Sequence, residues 1–370
     1  MSTSEAPVEV APPRPGRAGT LARLSLIGAV LAAVVGTFAY LGGWLTPNEL
    51  TPGRFVDAFE KASGVHPGFR RNHAKGLGVS GFFESNGNGA AVSKAVVFRP
   101  GRVPVIGRFS LPGGDPHVAD TPGSVRGLGL RFSLPDGEEW RTAMVNLPVF
   151  PFRTPEAFYE QMVASTPDAA TGKPDPAKMQ SFLAAHPETG RALSVIKAKP
   201  FSSGFENSTF HGLNTFRFVD AAGASVPVRW VLTPKQPSEA SAAAPPGRDK
   251  NYLFDGLIAA VQRQPLHWHL VVTVGQPGDP TNDPSLAWPE GRRTVDAGTL
   301  TLDGAESEDT SIARDINFDP LVLPAGIEPS DDPFLSARSA IYSRSFTRRA
   351  GEAKQPAAIT PAEVRKGGQP

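Results

Sequence analysis

The chain has 370 residues, 40% of them hydrophobic and 20% charged, a globular composition that excludes a disordered or collagen-like polymer. Its 37 lysines and arginines nearly cancel its 36 aspartates and glutamates, so no global field draws it to nucleic acid. Cysteine is absent, which excludes disulfides, thiolate nucleophiles and iron–sulfur clusters, and the 38 glycines and 38 prolines favour short elements in a β-rich or α+β fold over a helix bundle.

Residues 1–23 are rich in Pro, Ala and Ser and too poor in large apolar side chains to pack, which predicts a disordered tail. Residues 24–45 carry no charge, and at about 1.5 Å each such a helix reaches roughly 33 Å, enough for a bilayer core of about 30 Å. Arg14, Arg17 and Arg23 precede this stretch, while Glu49, Arg54, Asp57, Glu60 and Lys61 follow with mixed sign. That bias places the tail in the cytoplasm and the rest of the chain in an extracytoplasmic, periplasmic space. A signal sequence, cleaved to release the body, is the competing reading, and a buried core helix the third. Tyr40 and Trp44 as interfacial anchors, with no clean small-x-small site before Thr46, favour the membrane anchor.

From about residue 50 the pattern is that of a meander. Ala95-Val96-Val97-Phe98 and residues 103–109 and 127–132 have strand composition and are separated by Pro/Gly turns, with a hairpin turn at Gly87-Asn88-Gly89. Thr154-Pro155-Glu156 opens a helix running to about Ala164, and further helices are predicted over 176–185 and 188–197. A second β block follows over 210–233 and 266–274, with a surface loop at 236–249 and a helix near 251–263. Strand-like residues 298–302 precede a Pro-rich crossing, a helix from about Asp332 to Ser343, and a flexible polar tail over 351–370.

Three clusters carry candidate chemistry: Arg70-Arg71-Asn72-His73-Ala74-Lys75-Gly76, Arg108-Phe109-Ser110, and Arg338 with Tyr342. Arg338 and Tyr342 are four apart on a predicted helix, so guanidinium and phenol share a face. A neighbouring cation favours phenolate, a hard anionic iron ligand, although spacing alone favours a helix-surface cation–π or hydrogen-bonded pair. His267 and His269 point to one side of a strand, a spacing a metal can use, but without a carboxylate motif they read as a polar strand face.

In order and spacing, His73-Ala74-Lys75-Gly76, Ser80-Gly81-Phe82-Phe83-Glu84, Arg108-Phe109-Ser110, Arg126-Gly127-Leu128 and Asn146-Leu147-Pro148-Val149-Phe150-Pro151 resemble the haem catalases. Phe318-Asp319-Pro320, Pro324-Ala325-Gly326-Ile327-Glu328-Pro329 and the Arg338/Tyr342 pair continue the resemblance, which covers about residues 50–350. The chain looks like the short, single-domain catalase-related peroxidases. The resemblance implies an α+β fold, a catalase-like antiparallel β-barrel with peripheral helices enclosing haem b, here preceded by the transmembrane helix. It makes His73 the distal base, Ser110 its hydrogen-bond partner, Tyr342 the iron ligand and Arg338 the cation beside it. Arg70, Arg108 and Arg349 would meet the haem propionates, Phe158 would stack on the porphyrin, and Asp120 would stand in the peroxide channel.

Two positions depart from the family pattern. Val145 stands where catalases carry the catalytic asparagine, and Asn146, one residue on in an extended segment, faces the other way. Phe346 stands where many carry a histidine. The resemblance, so modified, implies a haem peroxidase that reduces organic hydroperoxides, and hydrogen peroxide weakly, with small one-electron donors and little catalase activity. A true catalase, a haem carrier or sensor, and a hydroperoxide isomerase of the allene oxide synthase type are the alternatives. No nucleic-acid partner is expected, and the missing subunit-interlocking arm implies a monomer or homodimer.

Overall fold

The computed structural model describes residues 17–41, 45, 49–168, 171–237, 239–240 and 250–366. It divides into residues 1–51 and a body from Pro52 to Pro370. In the first unit α1 spans Arg17–Leu41, beginning before the uncharged stretch because Ala18, Leu21, Ala22 and Arg23 are good helix formers. Its segment Gly19–Tyr40 is long and apolar enough to cross a membrane. The Thr37 hydroxyl near its end is satisfied within the helix, Oγ1 donating to Ala33 O at 2.8 Å. The remainder of the predicted tail, and the far end of the predicted span at 42–44, lie outside the described residues.

The body opens with α2 (Pro52–Ser63), followed by β1 (Gly76–Ser85), β2 (Gly101–Ser110), β3 (Gly127–Ser133) and β4 (Glu139–Val145). Then come α3 (Pro155–Ala164), α4 (Pro176–Ala185) and α5 (Pro187–Lys197). The second β block is β5 (Phe210–His211), β6 (Phe216–Val219) and β7 (Ser225–Pro234), with α6 (Tyr252–Arg263) leading to β8 (Leu266–Val274) and β9 (Thr294–Glu306). The chain closes with β10 (Ile327–Pro329), α7 (Pro333–Ala350) and α8 (Pro361–Lys366).

Strand order β7-β5-β4-β3-β2-β1-β9-β8, closed by β8 pairing back onto β7, makes an eight-stranded antiparallel barrel, with β6 and β10 added beside β7. Every second side chain points inward, so Phe109, Leu128, Leu130, Trp140, Trp230, Trp268 and Leu300 fill the barrel as a packed aromatic and aliphatic core. The alternate side chains of β2, β3 and β4 form the outer wall. There the register sets Ser110 beside Gly127 and Arg108 beside Gly129, and then Gly127 beside Val145.

Three expectations need correction. Val96–Phe98 is a short 3₁₀ turn, not a strand, because Ser93 turns the chain by accepting from Ala95 N at 3.1 Å and donating to Gly326 O at 2.8 Å. Gly87-Asn88-Gly89 likewise opens a 3₁₀ turn over Asn88–Ala91. The segment after 351 is docked, not flexible: Ala357 and Ile359 are buried, and Ser307 Oγ donates to Ile359 O at 2.6 Å. Ile359 joins the main core, an anchor that the polar composition around it conceals. Residues 241–249 of the predicted surface loop, and 367–370 of the tail, lie outside the described residues.

Candidate active site

The outer wall of β2–β4 faces α3 and α7 across a cavity of about 330 Å³. His73, Ser110, Arg70, Arg108, Phe158, Arg338, Tyr342 and Arg349, separated by up to 279 positions (349 − 70), all line it. Asp120 does not. It is buried in an ion pair with Lys75 Nζ at 2.6 Å and accepts from Leu253 N at 2.9 Å, so its charge is engaged in the core and not presented to this cavity.

On the β-wall side, His73 takes a left-handed backbone, φ 58°. Asn72 enforces this turn, its Oδ1 accepting from His73 N at 3.0 Å and from Gly113 N at 2.7 Å. The imidazole Nδ1 lies 3.0 Å from Ser110 Oγ, which leaves Nε2 as the nitrogen available to the cavity. Burial, reinforced by Arg108, Arg338 and Arg70, lowers the His73 pKa to about 3, so the ring is a neutral base. Glycine at 127 makes room for this pair, since a Cβ there would stand 2.8 Å from Ser110 Oγ and 3.0 Å from His73 Cε1. Val145, next to Gly127 in register, lines the cavity. Asn146 is instead tied to the start of β3, its Oδ1 accepting from Arg126 N at 2.8 Å.

On the helix side, Arg338 Nη2 lies 3.4 Å from the Tyr342 hydroxyl and 3.0 Å from Ala143 O. Arg338 also donates to Asn214 Oδ1, and Asn214 Nδ2 donates to Asp332 Oδ2 at 2.8 Å. Neither Asn214 nor Asp332 was singled out in the sequence. The N-cap signature Asp332-Pro333 reads as helix geometry, and nothing local marks Asn214, which reaches the site from the loop after β5.

Three arginines converge at the cavity's remaining edge. Arg108 is held by Glu308, Nε–Oε1 2.7 Å and Nη2–Oε2 2.9 Å. Arg70 donates to the carbonyls of Ala313, Arg314 and Ile316, and Arg349 to that of Arg314 at 2.5 Å. Burial first, then the mutual repulsion of these cations, lowers Arg70 well below its usual value and Arg349 to about 10. Three cations against one carboxylate leave two positive charges. Glu308, 200 positions from Arg108, was not visible as its partner in the sequence.

A planar dicarboxylate fits this set. The two excess charges match two carboxylates, the Phe158 ring and the apolar wall suit a flat apolar disc, and the Tyr342 oxygen has the chemistry of an iron ligand that such a disc would need. Among the described residues no group of three or more His, Cys, Asp or Glu side chains could hold a bare metal ion. His267 meets Thr301 Oγ1 at 3.0 Å and His269 faces Asp296 at 2.9 Å, a polar strand face.

An antiparallel barrel whose outer wall faces a helix layer across a cavity lined by an imidazole base, a phenol and an arginine cradle defines a protein of the catalase type. Comparisons agree: the Catalase family model matches residues 66–364, and the chain belongs to the catalase family. It is 38% identical over 333 residues to a catalase-related peroxidase of Synechococcus elongatus, covering 89% of this chain and 95% of the relative. To a catalase-related peroxidase of Mycolicibacterium paratuberculosis it is 34% identical over 304 residues, 82% and 96% of the two chains. A bacterial catalase structure superposes with a TM-score of 0.67 at 22% identity, over 80% of this chain and 60% of that one. The protein therefore falls in the short catalase-related peroxidase branch and is a haem peroxidase of that superfamily.

Proposed function

We propose that this peroxidase reduces organic hydroperoxides, and hydrogen peroxide only weakly, using small one-electron donors, with haem b held by Tyr342 and the arginines Arg70, Arg108 and Arg349. The reading rests on one observation: Val145 occupies the wall beside His73 and Ser110, and the neighbouring Asn146 is committed to the backbone of Arg126. Haem, when bound, supplies the redox centre that takes up the oxidising equivalents of the peroxide. His73, neutral and oriented by Ser110, takes a proton from one peroxide oxygen and returns it to the leaving one. With an apolar side chain at 145, a second hydrogen peroxide lacks a hydrogen-bond donor on that side, and disproportionation is slow. The apolar helix α1 acts as a membrane anchor with the body on the extracytoplasmic side, a reading that the arginine bias supports.

The test is to express the full chain with haem supplied and measure oxygen release from hydrogen peroxide beside oxidation of a one-electron donor by cumene hydroperoxide. Donor oxidation should dominate, and His73→Ala should lower it by a factor on the order of 10²–10⁴. Tyr342→Phe should alter the visible haem spectrum. Vigorous oxygen release, or rearrangement of a lipid hydroperoxide without any reductant, would refute the reading.

A further inference from the structure

Among the described residues two that are not glycine have a left-handed backbone, His73 at φ 58° and Leu213 at φ 59°, and both line the cavity. A side chain as large as leucine rarely adopts this conformation, and where it persists the surroundings impose it. His73 is the base. Leucine carries no group that reacts with a peroxide, so the backbone at 213 serves another residue.

The strand register shows what imposes the turn. β5 and β6 lie along one edge of β7, with His211 opposite Val231 and Phe216 opposite Val228, while β8 pairs with both Val231 and Val228 along the other edge. Residues 212–215 therefore pass a stretch that β7 covers with Arg229 and Trp230 alone, and the excess leaves the sheet as a bulge. Gly212, Leu213 and Asn214 enter the cavity wall there.

Both ends of the bulge are fastened. Gly212 N donates to Trp230 O at 2.9 Å, and a Cβ at 212 would stand 2.9 Å from Trp230 Nε1, so glycine lets the chain leave over the indole. At the far end Thr215 O accepts from Ser330 Oγ at 2.7 Å, and Thr215 Oγ1 accepts from Arg229 Nε at 3.0 Å. Between these points Asn214 N donates to Gly212 O at 2.7 Å and closes a three-residue turn on Leu213, a form that is rare and strained when its central residue is left-handed.

This turn sets the direction of the next side chain. Asn214 is buried, accepts from Arg338 and donates to Asp332 Oδ2 at 2.8 Å, and Arg338 lies 3.4 Å from the Tyr342 hydroxyl. We propose that Leu213 is a positioning residue: its left-handed backbone aims Asn214 at Arg338 and so fixes the guanidinium against the Tyr342 oxygen. An ordinary backbone at 213 would open the bond between Asn214 N and Gly212 O and turn Asn214 away. The consequence for haem rests on the reading of Tyr342 as its ligand, whereas the consequence for the turn does not.

The test separates backbone from side chain. Glycine and asparagine accept a positive φ, whereas valine keeps an apolar side chain but resists that backbone because it is β-branched. Leu213→Gly, Leu213→Asn, Leu213→Val and the wild type are produced as full chains with haem supplied, and their visible spectra and urea midpoints are compared. Leu213→Gly and Leu213→Asn should keep the wild-type spectrum. Leu213→Val should shift it, lower the rate of donor oxidation by a factor of up to about 10², and have the lowest urea midpoint of the three variants. If Leu213 acts through its side chain the order reverses, with Leu213→Val nearest to the wild type, and that result overturns the proposal. Four identical spectra also overturn it. Should Leu213→Val fail to fold, wild-type spectra in Leu213→Gly and Leu213→Asn support the proposal, and an altered spectrum in either overturns it. If no protein takes up haem, the wild type included, the ligand reading fails and the urea midpoints decide. Leu213→Val below the other two variants then supports the turn, and Leu213→Val at or above them overturns it.

Discussion

His73 is held by its neighbours in a backbone conformation that costs a non-glycine residue about 1–3 kcal/mol, and the return is a ring fixed against Ser110. Its pKa near 3 has two consequences of different kind. As a base the ring stays neutral through ordinary pH, so the rate of the first peroxide step, followed by stopped-flow absorbance, should be flat from about pH 5 to 8. For stability the sign is opposite: as pH falls from 6.5 towards 3 the unfolded chain binds a proton that the folded imidazole refuses, and stability declines across that window. A break in the rate near 6.5 would show that the ring is not held as described. Val145 gives the second prediction at this scale. Val145→Asn restores a hydrogen-bond donor to the wall beside Gly127, and oxygen release should rise about tenfold relative to donor oxidation, measured with an oxygen electrode. An unchanged ratio would locate the control of disproportionation elsewhere. Such single positions were legible in the sequence where a motif carried them. Asp120 shows the limit, because its expected role ignored Lys75, a partner 45 positions away that only the fold reveals.

At the scale of elements, the helices that open on a capping residue followed by proline were among the readable ones, beside α5 and α6. Thr154 caps α3, Asp175 caps α4 and Asp332 caps α7, each accepting from a backbone N–H in the first turn. Val96–Phe98 misled because its side chains are those of a strand; Val97 and Phe98 are indeed buried, but they reach the core from a turn. α7 runs seven residues past the predicted Ser343, and that extra length (350 − 343) is what delivers Phe346 and Arg349 to the cavity. The α3–α5 layer is joined by a device invisible in sequence. His186, between α4 and α5, places Nε2 2.8 Å from Glu160 of α3 and Nδ1 3.1 Å from Glu188. Partial burial works against the charged ring, but the hydrogen bonds to Glu160 and Glu188 prevail and raise its pKa above 6.5. Because the folded value is the higher one, the stabilisation is complete below 6.5 and is lost as pH rises through the folded pKa. The difference in thermal midpoint between the wild type and His186→Gln should therefore be largest near pH 5.5 and shrink by pH 8.5, with a worth of under about 1 kcal/mol for so exposed a pair. A difference that grows with pH would mean that the neutral ring makes the contact.

Over the whole molecule, the site depends on a barrel that is closed and on termini of the body that are pinned to it. Arg71 joins Glu60 of α2 to Glu352 beyond α7, and Arg348 of α7 joins Glu60 and Asp57, so the first and last helices beside the cavity are cross-tied. The deepest tie is Lys75–Asp120, both side chains fully buried. Lys75 Nζ also donates to Val118 O at 2.8 Å and Lys250 O at 3.1 Å, while the free carboxylate oxygen accepts from Leu253 N at the head of α6. One ion pair thus fastens the loop between β2 and β3, the start of β1 just after His73, and the helix at the barrel's end. Removing one partner leaves a buried charge without compensation, which costs about 3–5 kcal/mol, whereas replacing both by apolar groups of similar size is often neutral. Asp120→Asn should accordingly lower the unfolding free energy by about that amount in urea titrations, and Lys75→Met with Asp120→Leu should recover most of it. If the double variant is no better than the single, the three hydrogen bonds around the pair, and not its charges, hold this end of the barrel.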